Sequence, residues 1–355
     1  MNSNSKVSIV IPLYNREKLI IETIQSVQNQ SYENFECIII DDGSNDNSFA
    51  VVRDHLRDDA RFIVLNRKSE LKGACVCRNE GVDLATGDYI MFLDSDDLLG
   101  NKCLEGRINL INEHPNCDFI VKQTLIFDGN SYEGLYYWSS LKHKDDLKAF
   151  IESEGWLINS TFFKTSFLKS FRFDENAESW QDVDFHVRIL LNKPTYMKFS
   201  SKEADVYVRR SNEVRISNTN TNFKRIESRI KLYLKLEKIF ANKNVSYYKF
   251  PFLIYHFKYL EIAALTLSYK EFMDLYKLSL TSEVYSLSVA TFYKKYLELQ
   301  SFLNKYGLKA MCSILYRLKW VFVPKRYVYA STRQVSIKEK INIGDHVVYT
   351  NKICC

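Results

Sequence analysis

Three carboxylates follow an apolar run in the stretch Asp88-Tyr-Ile-Met-Phe-Leu-Asp-Ser-Asp-Asp97. The run from Tyr89 to Leu93 is short and follows a glycine, which predicts a buried strand. In an extended chain Asp94 and Asp96 point the same way, and the residue between them points the other way. Two such carboxylates repel each other unless a cation lies between them, and oxygen ligands suit Mg²⁺ or Mn²⁺. A solvated acidic turn that caps the next helix is the alternative.

Composition limits the classes of partner. The chain has 355 residues, of which 46% are hydrophobic, so it can bury a large core. Its net charge of +6 favours anionic ligands or a membrane surface, and we expect no nucleic-acid partner. The eight cysteines and six histidines form no cluster at metal-ligand spacing, so we expect reduced thiols and no catalytic role for either type. No secretory signal is visible, which predicts a cytoplasmic protein.

The elements around the acidic stretch alternate between strand and helix. Predicted strands cover 7–12, 35–40, 62–65 and 89–93, and predicted helices cover 17–30, about 46–57 and 74–85. This order predicts an α/β fold with a parallel sheet and helices on both faces. Ligands of such sheets bind outside the carboxyl ends of the strands, where Pro12, Tyr14, Asp42 and the acidic stretch all fall. No glycine-rich phosphate motif is present, which leaves a metal as the natural partner of a phosphate.

Four motifs, in this order and spacing, resemble those of family 2 glycosyltransferases. They are Val7-Ser-Ile-Val-Ile-Pro-Leu-Tyr-Asn15, Ile40-Asp-Asp-Gly-Ser44, Arg78-Asn-Glu-Gly81 with Ala85-Thr-Gly87, and Phe92-Leu-Asp-Ser-Asp-Asp97. The resemblance covers roughly residues 6 to 215. It implies a GT-A fold, which is a Rossmann-like nucleotide-diphospho-sugar transferase domain, with a nucleotide-sugar donor, a divalent metal and inversion at the anomeric carbon.

The resemblance assigns a nucleotide pocket to the first two strand ends. Asp42 would hydrogen-bond the base, usually uracil, and Pro12 and Tyr14 would line the pocket. Packing in the core is the alternative for Tyr14. For Asp42 the alternative is a turn-forming role before Gly43.

The resemblance also assigns the diphosphate side of the donor. Asp94, Ser95 and Asp96 would form the D-x-D motif that binds Mn²⁺ or Mg²⁺, with Asp96 as the direct ligand. Arg78 would face the diphosphate, although an ion pair on a helix surface also explains an arginine there. Downstream, the run Tyr207-Val-Arg-Arg-Ser-Asn212 resembles a basic flexible loop that closes over the diphosphate through Arg209 and Arg210. A solvated loop is the alternative.

A second informative stretch is Ser179-Trp-Gln-Asp-Val-Asp-Phe-His-Val-Arg188. Helical spacing places Asp182 near a helix N-terminus, where a carboxylate is electrostatically favoured and could be only a cap. The family has its general base in a Glu-Asp pair followed by an aspartate and an arginine, and by resemblance Asp182 would be this base. Gln181 replaces the expected glutamate, which puts in doubt any role of that first position. Trp180 beside the base is expected to bind the acceptor.

The predicted organisation is a transferase domain over 1–218, with a donor half to about 100 and an acceptor half from 101, and a mainly helical region over 219–355. In the acceptor half, 104–113 predicts a helix and 119–127 a strand. Residues 250–267 are apolar but interrupted by charges, so no membrane span is expected. Residues 305–340 hold nine basic residues and one acidic residue beside an apolar face. This pattern fits a membrane surface or a helix packed on the catalytic domain.

These observations favour an inverting, metal-dependent glycosyltransferase of cell-surface polysaccharide synthesis. The donor would be a nucleotide-sugar such as a UDP-sugar, and the acceptor a saccharide or lipid-linked saccharide. Two alternatives remain open. An aspartyl phosphotransferase also uses an Asp-x-Asp motif at a strand end, although usually on the first strand. The other alternative is a non-catalytic protein that binds nucleotide-sugars.

Overall fold

A computed structural model describes residues 5–129, 136–139, 141–151, 154–200, 204–210, 222–242, 259–282, 287–308, 311, 340–343 and 346–349. The strands are β1 (Val7–Leu13), β2 (Phe35–Asp41), β3 (Phe62–Asn66), β4 (Tyr89–Phe92), β5 (Leu98–Leu99), β6 (Phe119–Lys122), β7 (Thr124–Asp128), β8 (Tyr136–Tyr137), β9 (Thr161–Lys164), β10 (Tyr196–Phe199), β11 (Val206–Arg210), β12 (Lys340–Ile343) and β13 (His346–Tyr349). The helices are α1 (Ile20–Gln28), α2 (Ser48–His55), α3 (Ala74–Leu84), α4 (Cys103–Glu113), α5 (Asp146–Ile151), α6 (Thr165–Leu168), α7 (Gln181–Leu190), α8 (Phe223–Asn242), α9 (259–266), α10 (Tyr269–Ser279) and α11 (Leu287–Lys305). A 3₁₀ turn covers Ile158–Ser160.

A seven-stranded sheet forms the centre of the fold, in the order β10-β6-β9-β4-β1-β2-β3. Strands β1 to β4 pair in parallel, and β9 runs antiparallel to both of its neighbours. Every residue of β2 is buried, as expected for a strand covered on both faces. The parallel sheet predicted for the first four strands is confirmed. The carboxyl ends of these strands therefore meet at one edge, where the predicted donor residues lie.

A small second sheet has the order β5-β11-β7-β8, and it corrects two predictions. Residues 119–127 were predicted as one strand, but Gln123 separates β6 in the central sheet from β7 in the small one. The predicted flexible loop from Tyr207 begins instead as strand β11, which pairs with β7 and β5. Backbone pairing on both sides satisfies the hydrogen-bonding groups of this segment, so 206–210 is part of the fold. The rest of the predicted loop, 211–217, lies outside the described residues.

Helices cover both faces of the central sheet. One buried cluster joins Ile9 and Ile39 of the sheet to Ile24 of α1 and Leu104 of α4. On the other face, the buried cluster includes Cys75 and Cys77 of α3, Phe185 of α7, and side chains of α8 to α11 such as Tyr233 and Leu297. The C-terminal helices thus share a core with the sheet, which explains why this region begins with a helix of buried apolar positions.

Three further predictions concern chemistry or membranes. The described cysteines at 37, 75, 77, 103 and 117 are all free and buried, and burial raises the pKa of Cys75 to about 12. Such thiols are protonated at neutral pH and are poor nucleophiles. No helix within the described residues is long and apolar enough to cross a membrane. Most of the basic segment 305–340 lies outside the described residues.

Candidate active site

The chain turns sharply where β4 ends, within the acidic stretch. The backbone N–H of Asp97 donates to the carbonyl of Asp94 across 3.1 Å, so the chain is not extended here. The predicted alternation of side chains is therefore wrong. Asp94 accepts a hydrogen bond from Arg78 of α3 at 2.7 Å, and Asp96 lies 3.3 Å from Nε of Arg16 in the β1–α1 loop. The two carboxylates are held from two sides of the sheet edge.

The third carboxylate supports the turn. Asp97 is 2% exposed and accepts hydrogen bonds from the side-chain amide of Asn159 at 2.9 Å and the backbone N–H of Arg209 at 3.0 Å. Ser95 is also buried. These two donors satisfy the buried carboxylate, so Asp97 fixes the loop on which Asp94 and Asp96 lie.

Arg209 contributes to the same support. Its guanidinium is buried, donates to the carbonyl oxygens of Asp96 at 3.0 Å and Gly129 at 3.2 Å, and lies 5.1 Å from the ring centroid of Phe127. The next residue, Arg210, is exposed at the end of β11. Arg209 therefore supports the acidic loop through its buried hydrogen bond to the backbone of Asp96. The roles of Arg209 and Arg210 at the diphosphate stay predictions.

The two acidic residues after β2 have different surroundings. Asp41 accepts hydrogen bonds from the backbone N–H groups of Gly43 and Ser44 at 3.0 and 2.9 Å, and Gly43 has a positive φ of 83° that favours glycine. Asp41 is thus the turn former. Asp42 instead accepts from Nε of Arg67 at 2.6 Å and from the backbone N–H of Gly73 at 2.8 Å.

The strand end beside Asp42 is accessible. The backbone N–H of Asp42 donates to the carbonyl of Leu13 at 2.8 Å, which places Asp42 next to the segment of Pro12 and Tyr14. Tyr14 is 47% exposed, so the core-packing alternative for its ring is wrong, and Pro12 is partly exposed at the end of β1. An exposed aromatic ring next to a strand-end carboxylate can stack on a planar base while the carboxylate accepts from the ring N–H of that base.

The strand-end residues predicted to bind the donor are called the donor edge below: Pro12, Tyr14, Asp42, Asp94 and Asp96. Arg78 connects this donor edge to the segment 179–188. It is 4% exposed, so a surface ion pair is excluded. One guanidinium nitrogen donates to Asp94, and another donates to Oε1 of Gln181 at 3.2 Å. Burial opposes the charge of Arg78, but the carboxylates of Asp94 and Asp182 outweigh it and raise the arginine pKa. Gln181 therefore has a structural role, as an uncharged acceptor for this buried cation.

Asp182 lies in the first turn of α7, facing Arg78. Its Oδ2 accepts from the backbone N–H of Ile158 at 3.3 Å, and the N-cap residue of the helix is Trp180. Burial raises the pKa of Asp182, Arg78 opposes that shift, and the charge of Asp94 adds to it. A partly buried carboxylate with a raised pKa is suited to accept a proton at neutral pH.

Trp180 lies between the base and the C-terminal helices. Its ring lies 5.8 Å from Tyr233 and 5.6 Å from Tyr259, centroid to centroid, and the guanidinium of Arg229 lies 5.4 Å from its centroid. Much of the ring therefore packs on the helical region. Its contact with an acceptor stays a prediction.

Three residues of this edge were missed from sequence. Arg16 and Arg67 each follow a strand whose carboxyl end forms the edge, and a basic residue at that position was a usable signal. Asn159 had no such signal, because it reaches Asp97 from a 3₁₀ turn 62 residues away along the chain.

The residues present fit a divalent cation that takes only a few of its ligands from the protein. Asp94 and Asp96 offer hard carboxylate oxygens at one strand end. No group of three or more acidic, histidine or cysteine side chains that could hold a metal occurs among the described residues. A cation here would take the rest of its ligands from donor phosphate and water, which is the usual coordination of Mg²⁺.

Comparison with known proteins agrees with this geometry. The model of glycosyl transferase family 2 matches residues 8–174. An uncharacterized glycosyltransferase of Haemophilus influenzae is 29% identical over 251 residues, which are 68% of this chain and 93% of that protein. A GalNAc(5)-diNAcBac-PP-undecaprenol beta-1,3-glucosyltransferase of Campylobacter jejuni is 33% identical over 48% of this chain and 55% of that protein.

Solved structures show the same fold. The crystal structure of S. aureus TarS 1-349 in complex with UDP-GlcNAc is similar with a TM-score of 0.55 and 17% identity, over 98% of this chain and 100% of that one. Together with the family match, this fold speaks against the aspartyl phosphotransferase alternative. The chain therefore has the GT-A fold of these glycosyltransferases, and its residues 8–174 are similar to glycosyl transferase family 2.

Proposed function

We propose that this chain transfers a sugar from a UDP-sugar to a saccharide hydroxyl with inversion at the anomeric carbon. The observation that carries the proposal is the arrangement of Asp94, Arg78 and Asp182. One buried arginine lies between a strand-end carboxylate on the donor edge and a desolvated carboxylate on the facing helix. A sugar bound between these groups would have its leaving group on one side and a proton acceptor on the other.

In this mechanism Asp182 takes the proton from the acceptor hydroxyl as its oxygen attacks the anomeric carbon. The bond from that carbon to the diphosphate oxygen breaks, and its electron pair stays on the diphosphate. Attack from the face opposite the leaving group inverts the configuration. Arg78, with its Nε–H buried and without a hydrogen-bond partner in the part of the chain that the structure describes, provides positive charge beside the leaving group.

The donor pocket would use Tyr14 and Pro12 against the base and Asp42 as acceptor for the uracil N–H. Asp42 is held by Arg67 and Gly73, so its orientation is fixed before the nucleotide arrives. Asp94 and Asp96 would hold Mn²⁺ or Mg²⁺, which would neutralise the charge that develops on the leaving nucleotide. S. aureus TarS provides an example of this fold with UDP-GlcNAc bound.

For the acceptor we propose a lipid-linked or growing cell-surface saccharide. The Campylobacter relative is named for a polyprenyl-diphosphate-linked glycan, and a relative from Erwinia amylovora, 32% identical over 51% of this chain, is an amylovoran biosynthesis glycosyltransferase. The basic segment 305–340 would then bind the inner face of the membrane where such acceptors lie. Salt should weaken flotation of the full chain with anionic liposomes, and flotation that is unchanged by deletion of 305–355 in a folded protein would contradict this attachment.

The function is tested by donor binding and product stereochemistry. A panel of nucleotide-sugars with Mn²⁺ should raise the thermal midpoint only for the true donor, because a ligand of the folded state stabilises it by mass action. With that donor and a matching acceptor, NMR of the product should show the anomeric configuration opposite to that of the donor. Retention would contradict the proposal. A bound donor without transfer to any acceptor would favour the non-catalytic alternative.

A further inference from the structure

Helix α8 contacts the segment that carries the candidate base. Arg229 donates from Nε to Oγ of Ser179 at 3.1 Å, and its guanidinium lies over the ring of Trp180. Six residues later on the same helix, Nζ of Lys235 lies 2.6 Å from a carboxylate oxygen of Asp174 and 2.7 Å from one of Asp184. Residues 174 to 184 are thus held from the C-terminal region at both ends.

The backbone at Trp180 needs such support. Its φ of 57° and ψ of 36° lie in the left-handed region, which is unfavourable for a bulky side chain. A strained conformation persists only where surrounding contacts determine it, and here the contacts come from Arg229 and Tyr233 of α8 and Tyr259 of α9. This residue precedes the first turn of α7, so its conformation sets the direction in which that turn starts.

A buried charge fixes the other side of the same turn. Asp184 is 1% exposed and accepts from Nε of Arg188 within its own helix at 2.9 Å. Lys235 is its second cation, supplied by a different part of the chain. A buried carboxylate without a cation beside it is strongly destabilising. The ion pair with Lys235 therefore holds α7 against α8 two residues beyond Asp182.

We propose that α8 is a positioning element of the active site, with Lys235 and Arg229 as the positioning residues that set the orientation of Asp182. This inference rests on the proposed function, in which Asp182 is the base. Among the described residues Lys235 pairs with Asp174 and Asp184, and neither of these residues lies on the donor edge. Loss of Lys235 should therefore reduce the chemical step and leave donor binding intact.

The test compares Lys235→Met with Lys231→Met. Both lysines lie on α8 one turn apart, but within the described part of the chain Lys231 pairs with Glu227 of its own helix, in a largely exposed position. We expect Lys235→Met to lower kcat by on the order of 10–100-fold, as expected for a misplaced catalytic group, with donor Kd unchanged. Lys231→Met should keep both values, and Lys235→Arg should restore most of kcat because it keeps the charge.

A structural role alone predicts a different pattern. If the loss in kcat equals the unfolded fraction measured by circular dichroism, or if Lys231→Met loses as much, the positioning role is wrong. Should Lys235→Met unfold, Arg229→Met provides a second variant, because it removes both the hydrogen bond to Ser179 and the charge over Trp180. A wild-type kcat for it would also contradict the inference.

A double variant separates this inference from the proposed function. If Lys235 acts through Asp182, Lys235→Met in an Asp182→Asn background should cause little further loss. Full additivity would overturn the positioning role. A wild-type rate for Asp182→Asn alone would instead overturn the proposed function.

Discussion

The carboxylates of the donor edge have different surroundings from Asp182, the candidate base on helix α7 (called the base helix below). On the donor edge each functional carboxylate lies beside an arginine: Asp42 beside Arg67, Asp94 beside Arg78, and Asp96 beside Arg16. On the base helix Asp182 accepts a hydrogen bond from the backbone of Ile158, and burial raises its pKa. The surroundings of the first three aspartates therefore favour donor binding, and those of Asp182 favour proton transfer.

The difference teaches which chemistry each side can perform. A carboxylate that lies beside an arginine is held in place and can orient a base or a metal-bound phosphate. A carboxylate in a desolvated position gains proton affinity and becomes a better general base near neutral pH. Arg78 belongs to both sides, because it pairs with Asp94 and moderates the pKa of Asp182. Three variants can break or sharpen this contrast.

The largest effect is expected for Asp182→Asn. The amide is nearly isosteric but cannot take the proton, so transfer should fall by about 10²–10⁴-fold while fold and donor affinity stay close to wild type. Asp54→Asn is the matched control, since Asp54 of α2 is exposed and pairs with Arg57 in the turn that follows this helix. Steady-state transfer to the true acceptor measures the effect. Near-wild-type turnover in Asp182→Asn would place the base elsewhere.

A smaller effect is expected for Asp96→Asn, on the donor side. Loss of one charged ligand should weaken Mn²⁺-dependent UDP-sugar binding by about 10–100-fold, since hydrogen bonds to charged groups contribute about 1.5–3 kcal/mol. Calorimetry with and without Mn²⁺ measures this loss, and chelation should reproduce it in the wild type. Equal wild-type affinity for the donor with and without Mn²⁺ would show that donor binding does not depend on a metal.

A third variant concerns acid stability on the base side. His186 on α7 is fully buried, its Nδ1 lies 2.8 Å from the carbonyl of Asp182, and burial lowers its pKa to about 3. The unfolded chain binds a proton below pH 6.5 that the folded chain excludes, so stability falls as pH falls. Between pH 7.5 and 5 the loss should be about 2 kcal/mol.

Urea unfolding of His186→Gln measures this term. Between pH 7.5 and 5 the free energy of unfolding of the variant should fall by about 2 kcal/mol less than that of the wild type, whatever the stability of the variant at pH 7.5. His55→Gln, at an exposed site on α2, should keep the wild-type dependence. An unchanged pH dependence in His186→Gln would show that other groups cause the acid lability.

The donor edge could be predicted from sequence because it is encoded locally. Each of its functional residues follows a short apolar run, and parallel pairing brings those ends together. Prediction failed where side-chain direction mattered. The turn that links Asp97 to Asp94 depends on buried donors from Asn159 and Arg209, which are distant in sequence.

The base side was less predictable. Helical spacing indicated α7, but the left-handed Trp180 and the contacts from α8 are tertiary effects that no local pattern encodes. Arg209 shows the same limit: a pair of arginines after apolar residues resembled a mobile loop, whereas strand pairing with β7 buries the first of them. Sequence alone identified the residue types, and packing decided their roles.

The most direct test of the account is the pH dependence of kcat at saturating donor, in the wild type and in Asp182→Asn. Because burial raises the pKa of Asp182, wild-type kcat should fall on acidification through an apparent pKa above the usual aspartate value of about 3.9. Circular dichroism at each pH should confirm that the protein stays folded. The residual rate of Asp182→Asn should lack this acid limb. The same acid limb in both proteins would contradict the assignment of Asp182 as the base.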